Sequence, residues 1–135
     1  MAIAASAPTR IDLAGGTIDI WPLYLFHDQA QTLNAAISLR AHVDIRGREN
    51  GRILVESVDT GRRREVADWS AFRNDAEMGL LGHLLRYFRA NGLTLVTRSD
   101  APAGAGIAGS SALNIAVCGA MRAWTGASFD DELLR

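Results

Sequence analysis

Residues 102–112 read Pro-Ala-Gly-Ala-Gly-Ile-Ala-Gly-Ser-Ser-Ala, a stretch suited to chemistry on phosphate. A strand pattern precedes it and a helix pattern follows. The start of a helix leaves backbone N–H groups without intrahelical partners and carries partial positive charge, and both favour an anion. Gly104, Gly106 and Gly109 would let the backbone approach a phosphate closely. Ser110 and Ser111 offer hydroxyls to a phosphate oxygen or to magnesium, whose sites combine protein oxygens with waters and phosphate oxygens. The candidate cradle is therefore Pro102, Gly104, Ala105, Gly106, Ile107, Ala108, Gly109, Ser110 and Ser111.

Several loop types share this composition. A Walker loop requires Gly-Lys-Ser/Thr, and every one of the 14 basic residues is arginine, so that loop is excluded. A dinucleotide fingerprint, G-x-G-x-x-G, is spelled out at 104–109. It requires a strand running into the first glycine and a second strand ending in an acidic residue about 20 residues on. Here residues 99–103 intervene, and the stretch before Asp130 is a poor buried strand. A Gly-rich turn with an ordinary serine N-cap is the remaining, purely structural reading.

A second segment, residues 8–24, has the types for binding a polar metabolite. Arg10 opens a short alternating stretch, Gly15-Gly16 expose backbone, Asp19 can accept hydrogen bonds from hydroxyls, and Tyr24 offers a wall with a polar tip. Asp19 as a cap for the apolar turn and Arg10 as a surface strand residue are the simpler alternatives.

Together the two segments resemble the GHMP kinase family (galactokinase, homoserine kinase, mevalonate kinase, phosphomevalonate kinase). Its second motif, Pro-x-Gly-Ser-Gly-Leu-Gly-Thr-Ser-Ser-Ala in the heptose-phosphate kinase branch, overlays Pro102 to Ala112 without a gap. Gly104, Gly106, Ser110, Ser111 and Ala112 match. Ile107 replaces leucine, Ala108 stands where glycine is usual, and Gly109 where threonine or serine is usual, as if the glycine were displaced by one place. The first motif, Ala-Gly-Gly-Gly-Thr-Asp-Leu-Pro-Pro-Tyr-Tyr, overlays Ala14 to Tyr24 with Thr17 for a glycine and Ile18 for the threonine; the run 33–37 is also similar.

The resemblance implies an ATP- and Mg2+-dependent kinase acting on a sugar or sugar phosphate. Loop 102–111 would hold ATP phosphates, Ser110 would touch magnesium, Arg10 would be catalytic, and Gly16, Thr17, Asp19 and Tyr24 would bind the acceptor. It also implies that residues 1–135 are a truncated N-terminal, ATP-binding domain. Family members are roughly twice this length or more, and their catalytic aspartate and acidic magnesium ligand follow the second motif. The chain alone is then expected to be inactive. A non-catalytic nucleotide-binding module and a dinucleotide-binding domain remain the alternatives.

These segments need elements to position them, and the pattern reads as an α+β domain. Residues 2–7 and 10–13 suit strands interrupted at Pro8. Residues 21–26 suit a turn or short helix packed on the core. Leu39, Ala41, Val43 and Ile45 alternate on one face of a long strand. Asn50-Gly51 signals a hairpin, and with strands at 53–58 and 64–66 the middle of the chain reads as an antiparallel meander. Met78, Leu81, Leu85 and Phe88 have helical spacing, stopped at Asn91-Gly92. Residues 93–97 suit a strand, 110–124 a helix buried on nearly every side, and 130–135 the start of another. Trp69 and Phe72 are expected to pack the meander on the 78–88 helix.

Composition narrows the function classes. A net charge of −1 gives no basic field for nucleic acid or anionic lipid. No stretch reaches the ~18 apolar residues of a membrane span, so cytoplasm is the expected compartment; the resemblance implies a small-molecule acceptor as partner, and truncation would expose apolar surface, for example along the 110–124 helix, and favour self-association. A single cysteine, Cys118, excludes an intrachain disulfide and reads as an inert buried residue. His27, His42 and His83 lack zinc-ligand spacing; His83 reads as a core or boundary residue. The Arg62-Arg63-Arg64 run reads as a solvated turn and strand edge.

Overall fold

The structure, a computed structural model, describes residues 1–16, 18, 21–75, 77–102 and 104–127, with Asn74 by its backbone only. Five strands form one sheet: β1 (Ala2–Ala14), β2 (Leu33–Gly47), β3 (Ile53–Ser57), β4 (Arg62–Val66) and β5 (Leu93–Ser99). Two helices, α1 (Gly79–Phe88) and α2 (Gly109–Thr125), and two 3-10 turns, Leu23–Phe26 and Trp69–Asn74, complete the described elements. The α+β class expected from the sequence holds.

The meander does not. Strand order is β1-β2-β5-β3-β4, so β5 inserts between β2 and β3, antiparallel to the first and parallel to the second. Asn50-Gly51 turns the chain without closing a hairpin. Instead the connection bonds to the entry of β5: Arg48 N–H donates to Gly92 C=O at 2.7 Å, and Gly92 N–H to Gly51 C=O at 3.0 Å. Burial explains the insertion. Leu93 and Leu95 are fully buried, as are Ile53, Val55, Val43 and Ile45 on the flanking strands. Each such side chain contributes roughly 1.5–3 kcal/mol when removed from water, which outweighs a local two-residue turn preference. The one adjacent hairpin in this region joins β3 to β4 through residues 58–61.

The core lies on one face of the sheet. Alternation along β2 places Ala41, Val43 and Ile45 inward, while His42, Asp44 and Arg46 face away. Helix α2 packs on β1 and β2 with Ala116, Val117, Ala120 and Met121, and touches α1, whose Leu81 and Leu85 join the same cluster. Phe72 is buried 3.4 Å from where a Cβ on Gly82 would stand, so it packs on α1 as expected.

Further expectations are corrected. Pro8 does not interrupt β1, which runs through it with Pro8 opposite Arg40; β1 is an edge strand, where a missing N–H is tolerated. Residues 21–26 do not pack on the core: Trp21 is 72% and Phe26 76% exposed. Helix α2 is not buried all round; Ser111, Ile115, Gly119 and Arg122 are exposed. Its outward residues are largely small, and alanine and glycine inflate an apolar count without demanding burial. Helix α1 ends at Arg89 in the left-handed region (φ 49°), ahead of Asn91-Gly92. His83 is exposed, its Nδ1 2.8 Å from Gly79 C=O. The Arg62–Arg64 run is a solvated edge strand, and Cys118 is buried, with burial pushing its thiol pKa up. The expected helix at 130–135 lies outside the described residues. No described helix is long and apolar enough to cross a membrane.

Candidate phosphate-binding site

The loop after β5 is built from its base upward. Ser99 N–H donates to Asp59 Oδ1 at 3.0 Å, and Val58 N–H to Thr97 C=O at 3.0 Å, so the β3–β4 turn braces the end of β5. Ser99 Oγ and Ala101 exchange bonds of 3.1–3.2 Å. Asp100 is clamped from the other side: its Oδ2 accepts from Arg40 N–H at 3.1 Å and lies 3.0 Å from His42 Nε2. Those two bonds, His42's first, hold the Asp100 carboxyl below its ordinary range.

Beyond Pro102 the chain alternates in handedness. Gly104 (φ 77°), Gly106 (φ 70°) and Ala108 (φ 58°) are all left-handed. Successive turns of this kind point backbone N–H groups into a shared concavity. Ala108 is the N-cap of α2, with no side-chain cap bond. The ordinary serine-cap reading therefore does not hold: Ser110 and Ser111 sit in the first turn, exposed. Ala112 N–H donates to Ala108 C=O at 2.9 Å, so the amides of 109–111 are the first-turn donors that a helix cannot pair itself.

A cavity of about 430 Å3 opens over this loop. Residues 104–111, Pro102 and Leu113 line it, and Ser57, Asp59, Thr60, Ser99 and Ala101 form the rest of its wall. All the described loop residues expected to hold phosphate thus meet at one concavity. Sequence reasoning missed the Ser57–Thr60 wall. It depends on the parallel pairing of Ser57 with Thr97, and residues 59–61 signal only a turn.

The first segment joins the loop through its backbone. Arg10 N–H donates to Ile107 C=O at 3.2 Å. The Arg10 side chain is held by Asp12, Nε to Oδ1 at 3.1 Å. Asp12 also lies under Gly16, where a Cβ would come within 2.7 Å of its Oδ2. Asp12 is a second missed residue; its signal was the i, i+2 spacing from Arg10 on one face of a strand. Gly15 is left-handed (φ 75°), and a Cβ there would run into Gln31 C=O. Tyr24 is on an exposed turn and is not among the residues lining the cavity. Thr17, Asp19 and Ala103 lie outside the described residues.

Magnesium fits this site in one respect: Ser110 presents an exposed hydroxyl beside the loop amides. Among the described residues no group of three His, Cys, Asp or Glu side chains is placed to hold a metal. A dinucleotide fold would continue from α2 into a parallel strand beside β5; both neighbours of β5 precede it in the chain.

Residues 76–135 match the model of the GHMP kinases N terminal domain. The D-glycero-alpha-D-manno-heptose 7-phosphate kinase of Campylobacter jejuni is 34% identical over 128 residues, 90% of this chain and 38% of that protein. Residues 76–135 belong to the GHMP kinases N terminal domain family. Among solved structures, a D-glycero-D-manno-heptose 1-phosphate kinase from Bacteriodes thetaiotaomicron superposes with a TM-score of 0.82 at 27% identity, over 99% of this chain and 45% of the other. A putative sugar kinase from Campylobacter jejuni gives 0.79 at 29%, over 98% and 42%. The chain spans less than half the length of these relatives. The matched region, 76–135, contains α2 and the loop that lines the cavity, while Ser57, Asp59 and Thr60 of that lining lie outside it.

Proposed function

We propose that the chain is the N-terminal, ATP-binding domain of a kinase that transfers the γ-phosphoryl group of ATP to a sugar or sugar phosphate. The observation that carries this reading is the alternating left-handed loop at the head of α2, facing a cavity and tied to Arg10 through Ile107. Heptose-phosphate kinases among the similar proteins favour a heptose-phosphate-like acceptor.

Each residue takes the role that its type and the family resemblance suggest. Loop amides at 104–111 receive the phosphates, and the α2 N-terminus adds its dipole. Ser110 would hold Mg2+, which would supply charge neutralisation at the phosphates. Arg10, oriented by Asp12, offsets charge at the transferring group. Gly16, Thr17, Asp19 and Tyr24 receive the acceptor. Positioning and electrostatics supply the catalysis in such transfers. For this chain by itself, which covers 38% of the heptose 7-phosphate kinase, binding without turnover is the expected behaviour.

Calorimetry with ATP and Mg2+ tests the reading. Magnesium-dependent binding is expected, and Ser110→Ala should weaken it about 10-fold, or ~1.4 kcal/mol. NAD binding that is indifferent to magnesium would support a dinucleotide domain. A folded chain that binds no nucleotide would remove the loop from function.

A further inference from the structure

Strands β1 and β2 fall out of register beside the loop. Pro8 pairs with Arg40 and Arg10 with Ala36. Thr9 alone therefore faces three residues of β2, 37–39, across a bulge. Bulges re-aim side chains and backbone next to sites, and this one leaves a local carbonyl to satisfy. Thr9 supplies the bond: its side chain is fully buried, and Oγ1 donates to Leu39 C=O at 2.9 Å. The next amide, Arg10 N–H, leaves the edge of the sheet and donates to Ile107 C=O. Ile107 sits between the left-handed residues Gly106 and Ala108. In a planar trans peptide the C=O and the following N–H point in opposite directions. Holding Ile107 C=O against β1 thus turns the Ala108 N–H away from β1, and Ala108 lines the cavity.

We infer that Thr9 is a positioning residue for the phosphate loop: its buried hydroxyl holds the β2 bulge, and through it the Arg10–Ile107 bond that presents the Ala108 amide to phosphate. The functional half of this rests on the phosphate-binding reading above; the structural half does not. A β1 that slips at Thr9 loses its grip on the loop while the sheet interior stays paired.

The test compares Thr9→Val, which keeps the shape and removes the hydroxyl, with Thr9→Ser, which keeps the hydroxyl. Amide hydrogen exchange and ATP–Mg2+ calorimetry are read on both variants and the unmodified chain. In Thr9→Val the Arg10 amide should exchange at least ~10-fold faster, with the Val43 and Leu95 amides unchanged. The ATP–Mg2+ Kd should rise roughly 5–10-fold. Thr9→Ser should stay within about 2-fold of the unmodified chain in both. Unchanged Arg10 exchange in Thr9→Val overturns the inference, as does an equal effect of both variants or a uniform acceleration of all amides. If the unmodified chain binds no ATP–Mg2+, the kinase reading fails, and the exchange result alone decides whether Thr9 holds the loop.

Discussion

Ala108 is where residue chemistry and backbone geometry disagree. It holds φ 58°, ψ 32° at the N-cap of α2, a left-handed conformation that disfavours a Cβ by roughly 1–2 kcal/mol. The motif comparison suggested a glycine displaced by one position. The structure shows that the backbone requirement has stayed at 108 while Gly109 takes a helical position with open space around it. Ala108→Gly is therefore expected to stabilise the chain by ~1 kcal/mol, read as a raised urea midpoint at unchanged slope. An unchanged or lowered midpoint would mean that the loop is not strained at 108. Arg10 and Ser110 were singled out in the sequence through the family resemblance of their motifs. Asp12 and Thr9 were not, because their partners, Gly16 and Leu39, are brought to them by a turn and a strand pairing.

At the scale of elements, the loop depends on two clamps at the end of β5: Asp59 from the β3–β4 turn, and the Arg40–His42 stretch of β2 on Asp100. The second clamp titrates. Hydrogen bonds from His42 and from the Arg40 amide lower the folded-state pKa of Asp100 below its ordinary 3.8. A carboxyl of lowered pKa binds fewer protons folded than unfolded, so its contribution is complete above 3.8 and is lost as pH falls through the lowered folded value. His42→Ala removes the larger cause. The Asp100 carboxyl, followed by NMR, should then titrate closer to 3.8 than in the unmodified chain. Coincident midpoints in the two proteins would show that His42 does not hold the carboxylate. Periodicity alone identified α1, β5 and α2, since each has a clear apolar stripe. It missed that α2 keeps an open face, because alanine and glycine read as apolar while burying little.

Across the whole molecule, apolar surface gathers away from the core. Trp21, Leu25 and Phe26 are all more than 60% exposed, and Leu13 and Leu33 at the ends of β1 and β2 are each 60% exposed. Soluble monomers seldom leave such side chains clustered in solvent without a partner. The chain is expected to associate in a concentration-dependent way, and the double change Trp21→Ser with Phe26→Ser should shift sedimentation velocity profiles toward monomer. A monomer at all concentrations in the unmodified chain would refute this. The segment involved differs from the α2 surface expected from sequence: of α2's large apolar residues only Ile115 exceeds one-third exposure.

Sequence by itself determined the local chemistry. Glycine spacing, two serines at a helix start and the absence of lysine depend on residue type and distance along the chain, and these pointed to the phosphate loop and the family. Tertiary structure decided which distant residues share the site. The placement of β5 between β2 and β3 sets Ser57, Asp59 and Thr60 in the same cavity as the loop, and the register break at Thr9 brings β1 to Ile107. The physical reason is that strand order follows from burying Leu93 and Leu95 between neighbours on both sides. That is a long-range packing preference, whereas the Asn50-Gly51 signal encodes only a local turn.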